Sequence, residues 1–385
     1  MFRFIRLAGV ASFCVYRTTF YKKLQLLYDK NTVFFSKIHG FHHPKRTKHF
    51  IRAPQPPRQT FPIQTPRDVI QCCHSTVRAG TPARHDKDKG AFAMNIQRAY
   101  VEITNLCNLH CDFCAGHHRP LMAMRTDDFA VAAKKLRAVT QYIYLHVMGE
   151  PLLHPELGKI LDTCAQLDFR VCITTNGTLL PKKLDILLAC PALHKVAVSL
   201  HSFEGNHLNV PLEDYVAGCL HSCQKLAAAG VNCTLRLWNS GMPQALNPEI
   251  ERILGELTGQ NTAHLPEDML HNRRLAPRIY IQKDEHFYWP GDENNDCPDD
   301  TQYCYGLRRQ LGVLCDGTVI PCCLDSEGRL ALGNIFHQSL DYILNTPRAQ
   351  RIRRGFDCRK PAEALCRRCH YASRFNIPLP QSNKK

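Results

Sequence analysis

The stretch that decides the fold is Tyr100-Val-Glu-Ile-Thr104-Asn-Leu-Cys107-Asn-Leu-His-Cys111-Asp-Phe-Cys114, in which a β-type run leads straight into three cysteines. Their CxxxCxxC spacing places three thiolates on one tight loop. Three thiolates on a four-iron cluster leave one iron without a protein ligand, whereas a pure electron carrier supplies four. The loop therefore predicts an iron–sulfur cluster with one open iron.

A zinc knuckle is the alternative for these cysteines, because zinc sites are also rich in CxxC pairs. Such sites close with four ligands, and neither a fourth Cys nor a suitably spaced His lies near the loop. The loop also follows a strand, and α/β sheets place their active sites at the carboxyl ends of strands. Spacing and position together favour iron–sulfur ligation.

Beyond residue 96, β-branched and aromatic runs alternate with helical stretches, which is typical of a parallel sheet with crossover helices. A full eight-stranded barrel needs ~250 residues, so we predict an open α/β version, a partial (β/α)6 TIM-like barrel. The predicted strands are Tyr100–Thr104, Tyr142–His146, Arg170–Thr174, Lys195–Leu200, Val231–Leu237 and Arg278–Gln282. The predicted helices are Asp127–Ala138, Pro155–Leu167, Lys182–Leu188 and Tyr215–Ala229.

The charge of the chain is concentrated at its beginning. Residues 1–93 hold 17 of the 49 Lys/Arg and 4 of the 34 Asp/Glu, so most of the net charge of +15 belongs to them. The nearly neutral remainder disfavours a nucleic-acid groove. Twenty cysteines in 385 residues, some in CxxC clusters, indicate metal ligation rather than a secreted disulfide framework.

Residues 1–93 are interpreted as a basic leader that is disordered or belongs to an over-extended start, since no methionine occurs between Met1 and Met94. The alternative is a signal peptide or transit peptide. Its apolar run Leu7–Val15 is shorter than the roughly 20 residues that span a membrane. We therefore expect a cytoplasmic protein without membrane contact, a barrel over 94–290, a second region over 297–375 and a tail over 376–385.

Polar motifs follow the predicted strands, all at the same edge of the sheet. Taken singly, Asn176 belongs to a plain turn signal, Ser199 would cap a strand end and Arg236 would form an ion pair. Their common position indicates one site, to which Trp238 and Asn239 are further candidates. The motifs are His146-Val-Met148-Gly149-Glu150-Pro151, Thr174-Thr-Asn176-Gly177, Ser199-Leu-His201 and Arg236.

The region from Cys297 onward has few helical signals, a turn at Asp316-Gly317 and eight cysteines. Four of them, ending in a CxxC pair, predict a small metal-stabilised α+β domain, with a zinc ribbon as the alternative to iron–sulfur. These four are Cys304, Cys322, Cys366 and Cys369.

The remaining cysteines are expected to be unligated. Cys323 adjoins a proposed ligand, and neighbouring side chains of a strand face opposite sides; Cys358 is an alternative to one member of the CxxC pair. Cys297 and Cys315 are extra thiols. Those within the predicted barrel elements are interpreted as buried structural thiols: Cys164, Cys172, Cys190, Cys219, Cys223 and Cys233.

On these residues the sequence resembles the radical S-adenosylmethionine (SAM) superfamily, which carries CxxxCxΦC after the first strand, with Φ aromatic, here Phe113. The resemblance implies that the open iron binds the methionine part of SAM. One-electron reduction then cleaves SAM to a 5′-deoxyadenosyl radical that abstracts hydrogen from a substrate. A flavodoxin- or ferredoxin-type electron donor is the partner that this chemistry implies.

The resemblance also implies SAM contacts. Gly149 and Glu150 match the family's GGEP motif, in which Met148 replaces the first Gly. Asn176 matches its TNG turn, Ser199 a polar contact to ribose or carboxylate, and Arg236 a partner for the carboxylate.

The C-terminal cysteines resemble the SPASM/twitch extension of that superfamily. The shorter twitch form implies one auxiliary [4Fe–4S] cluster on Cys304, Cys322, Cys366 and Cys369. Four ligands saturate it, so it would relay electrons. The substrate implied is a small metabolite or a peptide. A contrasting class is a non-catalytic zinc or iron–sulfur scaffold.

Overall fold

A computed structural model describes residues 96–206, 208–242, 245–268, 272–286, 288–290 and 302–375. All of them belong to one compact unit, Arg67–Lys385. The predicted leader over residues 1–93, Cys297 and the predicted tail lie outside the described residues. No helix in the described part of the chain combines the length and apolarity needed to cross a bilayer.

The described strands form one sheet of ten, in the order β10-β9-β8-β1-β2-β3-β4-β5-β7-β6. Six of them run parallel in chain order, with β6 paired antiparallel to β7 at the edge. The sheet is open, as predicted for a partial barrel. The strands of this part are β1 (Arg98–Val101), β2 (Tyr142–Tyr144), β3 (Arg170–Thr175), β4 (Leu193–Ser199), β5 (Asn232–Ser240), β6 (Asn272–Ala276) and β7 (Ile279–Glu285).

Each crossover helix covers the outer face of the sheet. Ala99 and Val101 on β1 and Val196 and Val198 on β4 are almost fully buried beneath the helices. Because strand side chains alternate, the residues between them face the barrel interior. The helices are α1 (Thr126–Arg137), α2 (Leu157–Gln166), α3 (Leu180–Leu188), α4 (Leu212–Ala228) and α5 (Asn247–Thr258), and the short 3₁₀ turns are Pro151–Leu153, Leu200–Ser202 and Thr262–His264.

The C-terminal region extends the same sheet instead of standing apart. Strand β8 (Gln310–Val313) pairs parallel with β1, with Arg98 opposite Gln310. Strands β9 (Thr318–Ile320) and β10 (Gly333–Asn334) follow antiparallel. The barrel and the cysteine-rich region therefore share backbone hydrogen bonds, which the sequence did not predict.

The C-terminal region combines strands with helices, which confirms the predicted α+β domain, although its sequence showed few helical signals. Three helices are present there, and a 3₁₀ helix, His370–Phe375, follows them. Ser339 and Thr346 cap two of them, accepting hydrogen bonds from the backbone N–H groups of Tyr342 and Ala349. These caps were the available sequence signal. The helices are α6 (Leu340–Leu344), α7 (Pro347–Asp357) and α8 (Ala364–Arg367).

Candidate functional site

The cysteine loop between β1 and α1 presents three free thiols, and each sulfur accepts a hydrogen bond from an N–H donor. Asn206 Nδ2 donates to Cys111 Sγ at 3.1 Å. Asn176 Nδ2 lies 3.9 Å from Cys107 Sγ, and the Gly116 N–H donates to Cys114 Sγ at 3.5 Å. Donors aimed at sulfur favour the thiolate form that ligates metal.

Without a bound cluster, burial of the thiols disfavours the thiolate form. It raises the pKa of Cys111 to about 11, although the hydrogen bond from Asn206 pulls the other way. The described residues contain no group of three or more His, Cys, Asp or Glu placed around a single ion. A four-iron cluster takes one thiolate per iron and does not require such convergence. The donor set fits a cluster that supplies the missing positive charge.

Asn206 was not identified from the sequence. Its Oδ1 accepts the N–H of His110 at 2.8 Å, while its Nδ2 donates to Ser202 O at 2.7 Å and to Cys111 Sγ. The neighbouring Gly205 leaves room for the loop, since a Cβ there would lie 2.9 Å from Asp112 Oδ1. The segment after β4 therefore stabilises the cysteine loop through the hydrogen bonds of Asn206.

The predicted GGEP-like segment packs directly on the cysteine loop. Gly149 has φ of +73°, and a Cβ on it would lie 2.5 Å from the carbonyl oxygen of Thr104. The Glu150 N–H donates to Leu106 O at 2.8 Å. Glycine at 149 is therefore required by both the backbone conformation and the close approach to the backbone of Thr104, which follows β1.

Replacing Gly149 with Ala should lower the free energy of unfolding by about 2–4 kcal/mol, because it combines left-handed strain with a backbone clash. Gly158→Ala is the matched control, since a Cβ at that helical position meets no atom within 4 Å. It should leave stability equal or slightly higher. Urea unfolding followed by circular dichroism measures both. Equal midpoints for the two variants would contradict the packing described.

Met148 stands where the family motif has glycine, and its side chain is buried. It packs with Tyr100, Val147, Leu314 and Ile320. Its backbone N–H donates to Glu102 Oε2 at 3.0 Å. Methionine here fills the contact between the barrel and the C-terminal strands.

Glu150 is almost fully buried and is already engaged. Its carboxylate accepts the N–H groups of Asn176 at 2.7 Å and Leu152 at 3.0 Å. Burial nevertheless raises its pKa to about 7. Asn176 in turn donates to Asn108 Oδ1 at 3.0 Å, and its carbonyl accepts from Tyr215. Glu150 and Asn176 thus tie two predicted motifs to the cysteine loop.

A cavity of about 220 Å³ lies inside the barrel at the carboxyl ends of its strands. We call it the barrel cavity. It brings together several residues predicted for the site, with others that were missed, including Tyr371 from the C-terminal 3₁₀ helix. Its lining is Tyr100, Phe113, His146, Val147, Thr174, Ser199, His201, Arg236, Trp238, His286, Trp289, Cys323, Leu324 and Tyr371.

The predicted cofactor residues differ in their relation to this cavity. Phe113, Ser199 and Arg236 line it, whereas Gly149, Glu150 and Asn176 surround the cysteine loop beside it. The Phe113 ring packs on His201 with 4.9 Å between centroids. Burial lowers the pKa of His201 to about 4, so this imidazole is neutral near pH 7.

Of the further strand-end candidates, Trp238 lines the barrel cavity and Asn239 is buried outside its lining. A wider groove of about 460 Å³ shares Phe113, His286, Trp289 and Leu324 with the cavity. The groove thus lies beside the cavity at the cysteine loop.

The four C-terminal cysteines predicted as ligands line one small cavity. They are Cys304, Cys322, Cys366 and Cys369, and Phe356 and Leu365 are among their apolar neighbours. Burial, followed by the proximity of the other thiols, raises the pKa of Cys322 well above its ordinary value. Four clustered thiols that resist ionisation in isolation fit a metal cluster, which would hold them as thiolates.

The extra cysteines lie elsewhere. Cys323 lines the barrel cavity while Cys322 lines the four-cysteine cavity, so the two side chains face opposite sides as expected. Cys315 is buried and its Sγ donates to Glu102 O at 3.1 Å. Cys358 is exposed and is not part of the four-cysteine lining.

A buried ion pair joins the two regions and was missed from the sequence. Arg119 donates through two nitrogens to the two carboxylate oxygens of Glu102, both at 2.7 Å, and its Nε donates to Ser326 O at 2.7 Å. The N–H groups of Met148 and Cys315 also bind this carboxylate. The Glu102 carboxylate therefore accepts hydrogen bonds from the cysteine loop, from the 148–150 segment and from the C-terminal region.

Comparisons with known proteins agree with this geometry. The family model described as the radical SAM superfamily matches residues 101–239, which contain the cysteine loop and β2 to β5. The SPASM iron–sulfur cluster-binding domain matches residues 304–370, which contain all four clustered cysteines. The chain therefore contains a radical SAM domain followed by a SPASM domain. A radical SAM domain implies a [4Fe–4S] cluster and SAM, and the SPASM domain implies auxiliary iron–sulfur clusters.

Two curated relatives match different shares of this chain. The GTP 3′,8-cyclase of Chlorobaculum tepidum is 33% identical over 120 residues, 29% of this chain and 35% of that protein. The chain thus matches about a third of that relative's length. The subtilosin biosynthesis protein AlbA of Bacillus subtilis is 24% identical over 312 residues, 71% of this chain and 66% of AlbA.

Among solved structures, SuiB of Streptococcus suis aligns with a TM-score of 0.47 at 14% identity, covering 72% of each chain.

Proposed function

We propose that this radical SAM protein is an enzyme that cleaves SAM reductively and abstracts hydrogen from a small metabolite or a peptide. The observation that carries the proposal is the cysteine loop, whose three hydrogen-bonded thiols lie beside the barrel cavity. Bound there, the cluster and SAM supply a 5′-deoxyadenosyl radical. The protein supplies position, orientation and protection from solvent.

The cluster ligands of this proposal are Cys107, Cys111 and Cys114. Asn176 and Asn206 orient two of the sulfurs through their amide N–H groups. Gly149 and Glu150 fix the backbone against that loop, which leaves their remaining polar groups as contacts for the amino group of SAM. Ser199, at the end of β4, is the proposed contact for its ribose or carboxylate, and Arg236 lies opposite it in the register of β4 and β5.

The proposed auxiliary site relays an electron. Cys304, Cys322, Cys366 and Cys369 provide the four thiolates of a saturated cluster. Cys322 and its neighbour Cys323 connect this site to the barrel cavity through a single peptide bond. A short covalent path of this kind suits electron transfer between the cavity and the auxiliary site.

Both substrate classes stay within the proposal, because AlbA acts in subtilosin biosynthesis and the GTP cyclase is named for a nucleotide. A low-potential donor of flavodoxin or ferredoxin type is proposed as the partner.

The test is anaerobic reconstitution with iron and sulfide, followed by dithionite and SAM. We expect 5′-deoxyadenosine from the native chain and none from Cys107→Ala, because that variant loses a ligand of the open-iron cluster. Cys164→Val is the control, since this thiol is buried in the apolar core. A native protein with its full iron complement that forms no 5′-deoxyadenosine would overturn the proposal in favour of a non-catalytic scaffold.

A further inference from the structure

Three buried nitrogen atoms in the lining of the barrel cavity have no hydrogen-bond partner among the described residues. Arg236 Nε, Trp238 Nε1 and His146 Nδ1 are buried and make no hydrogen bond within the described structure. All three residues line the barrel cavity. Unsatisfied buried donors are costly, so they indicate a ligand that brings acceptor atoms.

Arg236 is positioned for such a ligand. Its guanidinium lies over the Trp238 ring, with 4.4 Å from Cζ to the ring centroid. Stacking holds the plane of the guanidinium, and its N–H edge remains available for a planar or tetrahedral oxyanion. The described lining of the barrel cavity includes no Asp or Glu that could serve instead.

Two further cationic side chains face the barrel interior, nearer the amino ends of their strands than the cavity residues are. Arg98 precedes Tyr100 by two residues on β1, and Lys195 precedes Ser199 by four on β4, so each shares the inward face of a cavity residue. Neither forms an ion pair with a described residue. Burial and then the charge of Arg236 lower the pKa of Lys195, and Arg98 acts in the same direction.

Among the described residues, the positive charge of Arg98, Lys195 and Arg236 is therefore not paired with a carboxylate, since the buried Glu102 already binds Arg119. Asp284 on β7 is an acid near Tyr371, and it is already paired with Arg374. SAM does not neutralise this charge, because its one carboxylate is outweighed by its ammonium and sulfonium groups. Like charges in a partly desolvated interior repel strongly unless an anion joins them.

The geometry points to an anionic substrate: a carboxylate or phosphate group enters the barrel cavity, meets Arg236, Trp238 and His146, and is held from below by Lys195 and Arg98. This inference rests on the proposed function and narrows its substrate class. Neutral metabolites and peptides without an acidic group near the reacting position are excluded.

The chain contains two tryptophans, Trp238 and Trp289, and both line the barrel cavity, so their emission reports on it directly. Cluster-loaded protein is titrated with inorganic phosphate and, separately, with succinate at constant ionic strength. Calorimetry provides the same affinities where the clusters quench emission. We expect saturable binding of at least one anion, both with and without saturating SAM. The tighter anion identifies the class.

Lys195→Met should weaken that binding about ten-fold or more, since it removes a full charge from the interior. Arg98→Gln is a second variant for the same purpose, and circular dichroism verifies the fold of each. Lys225→Met, on the exposed face of α4, is the matched control and should bind as the native protein does.

Three outcomes would overturn the inference: no saturable binding, native affinity in both Lys195→Met and Arg98→Gln, or displacement of the anion by SAM. The last would assign the charge to the SAM carboxylate. The proposed function fails by a different result, the absence of 5′-deoxyadenosine, so the two failures are distinguishable.

Discussion

Arg119→Met should lower the free energy of unfolding by about 3–5 kcal/mol, because it leaves the buried Glu102 carboxylate without its cationic partner. Glu102 has 0% side-chain exposure and Arg119 13%, so water does not replace the lost guanidinium. A typical domain has a total stability of about 5–15 kcal/mol, which makes this a large fraction. Urea unfolding under anaerobic conditions measures it.

The control for this prediction is Arg125→Met. Arg125 pairs with Asp127 at 3.8 Å, but both side chains are more than three-quarters exposed, at 78% and 88%. Such a surface pair contributes no more than about 1 kcal/mol. Arg119→Lys retains the charge but loses the bidentate hydrogen bonds to Glu102. Its loss of stability should therefore lie between those of Arg119→Met and Arg125→Met.

A double variant tests the physical cause. Glu102→Gln combined with Arg119→Met removes the charge together with its partner, and should cost less than the sum of the single changes. Amide exchange over residues 315–329 should also accelerate in Arg119→Met, because Arg119 holds Ser326 O. If Arg119→Met were as stable as Arg125→Met, the ion pair would not be the link between the two regions.

Local chemistry made part of this architecture predictable. Short stretches of sequence were enough to recognise the cysteine spacing, the alternation of strands and helices, and the position of Gly149. Gly149 illustrates why: its positive φ and its contact with Thr104 permit one residue type only. The parallel strands were likewise predicted to within a few residues of their observed positions.

The missed features depend on pairs of residues that are distant in sequence. Strand β8 pairs with β1, with Gln310 opposite Arg98, and no local sequence pattern predicts that pairing. Asn206 reaches Cys111 across 95 residues. Glu102 offered one clue, since it is a charged residue between the apolar Val101 and Ile103, both of which are buried. A charge in such a position requires a partner, but the sequence does not say which.

The double variant Cys366→Ala/Cys369→Ala should lose one of two clusters, so iron per chain should fall from about eight atoms to about four. Both thiols belong to the four-cysteine cavity, and two remaining ligands do not retain a four-iron cluster. Metal analysis that measures iron, sulfide and zinc together checks the result. Zinc in place of iron in the native protein would support the zinc-ribbon alternative at this site.

Reductive SAM cleavage should persist in Cys366→Ala/Cys369→Ala, because the cysteine loop after β1 is untouched and retains its own hydrogen bonds. Cys358→Ala is the matched control, as this exposed thiol lies outside the four-cysteine cavity and should leave the iron content at its native value. An unchanged iron content in the double variant would remove Cys366 and Cys369 from the ligand set. Loss of iron from Cys358→Ala would instead place Cys358 among the ligands, which its exposed position argues against.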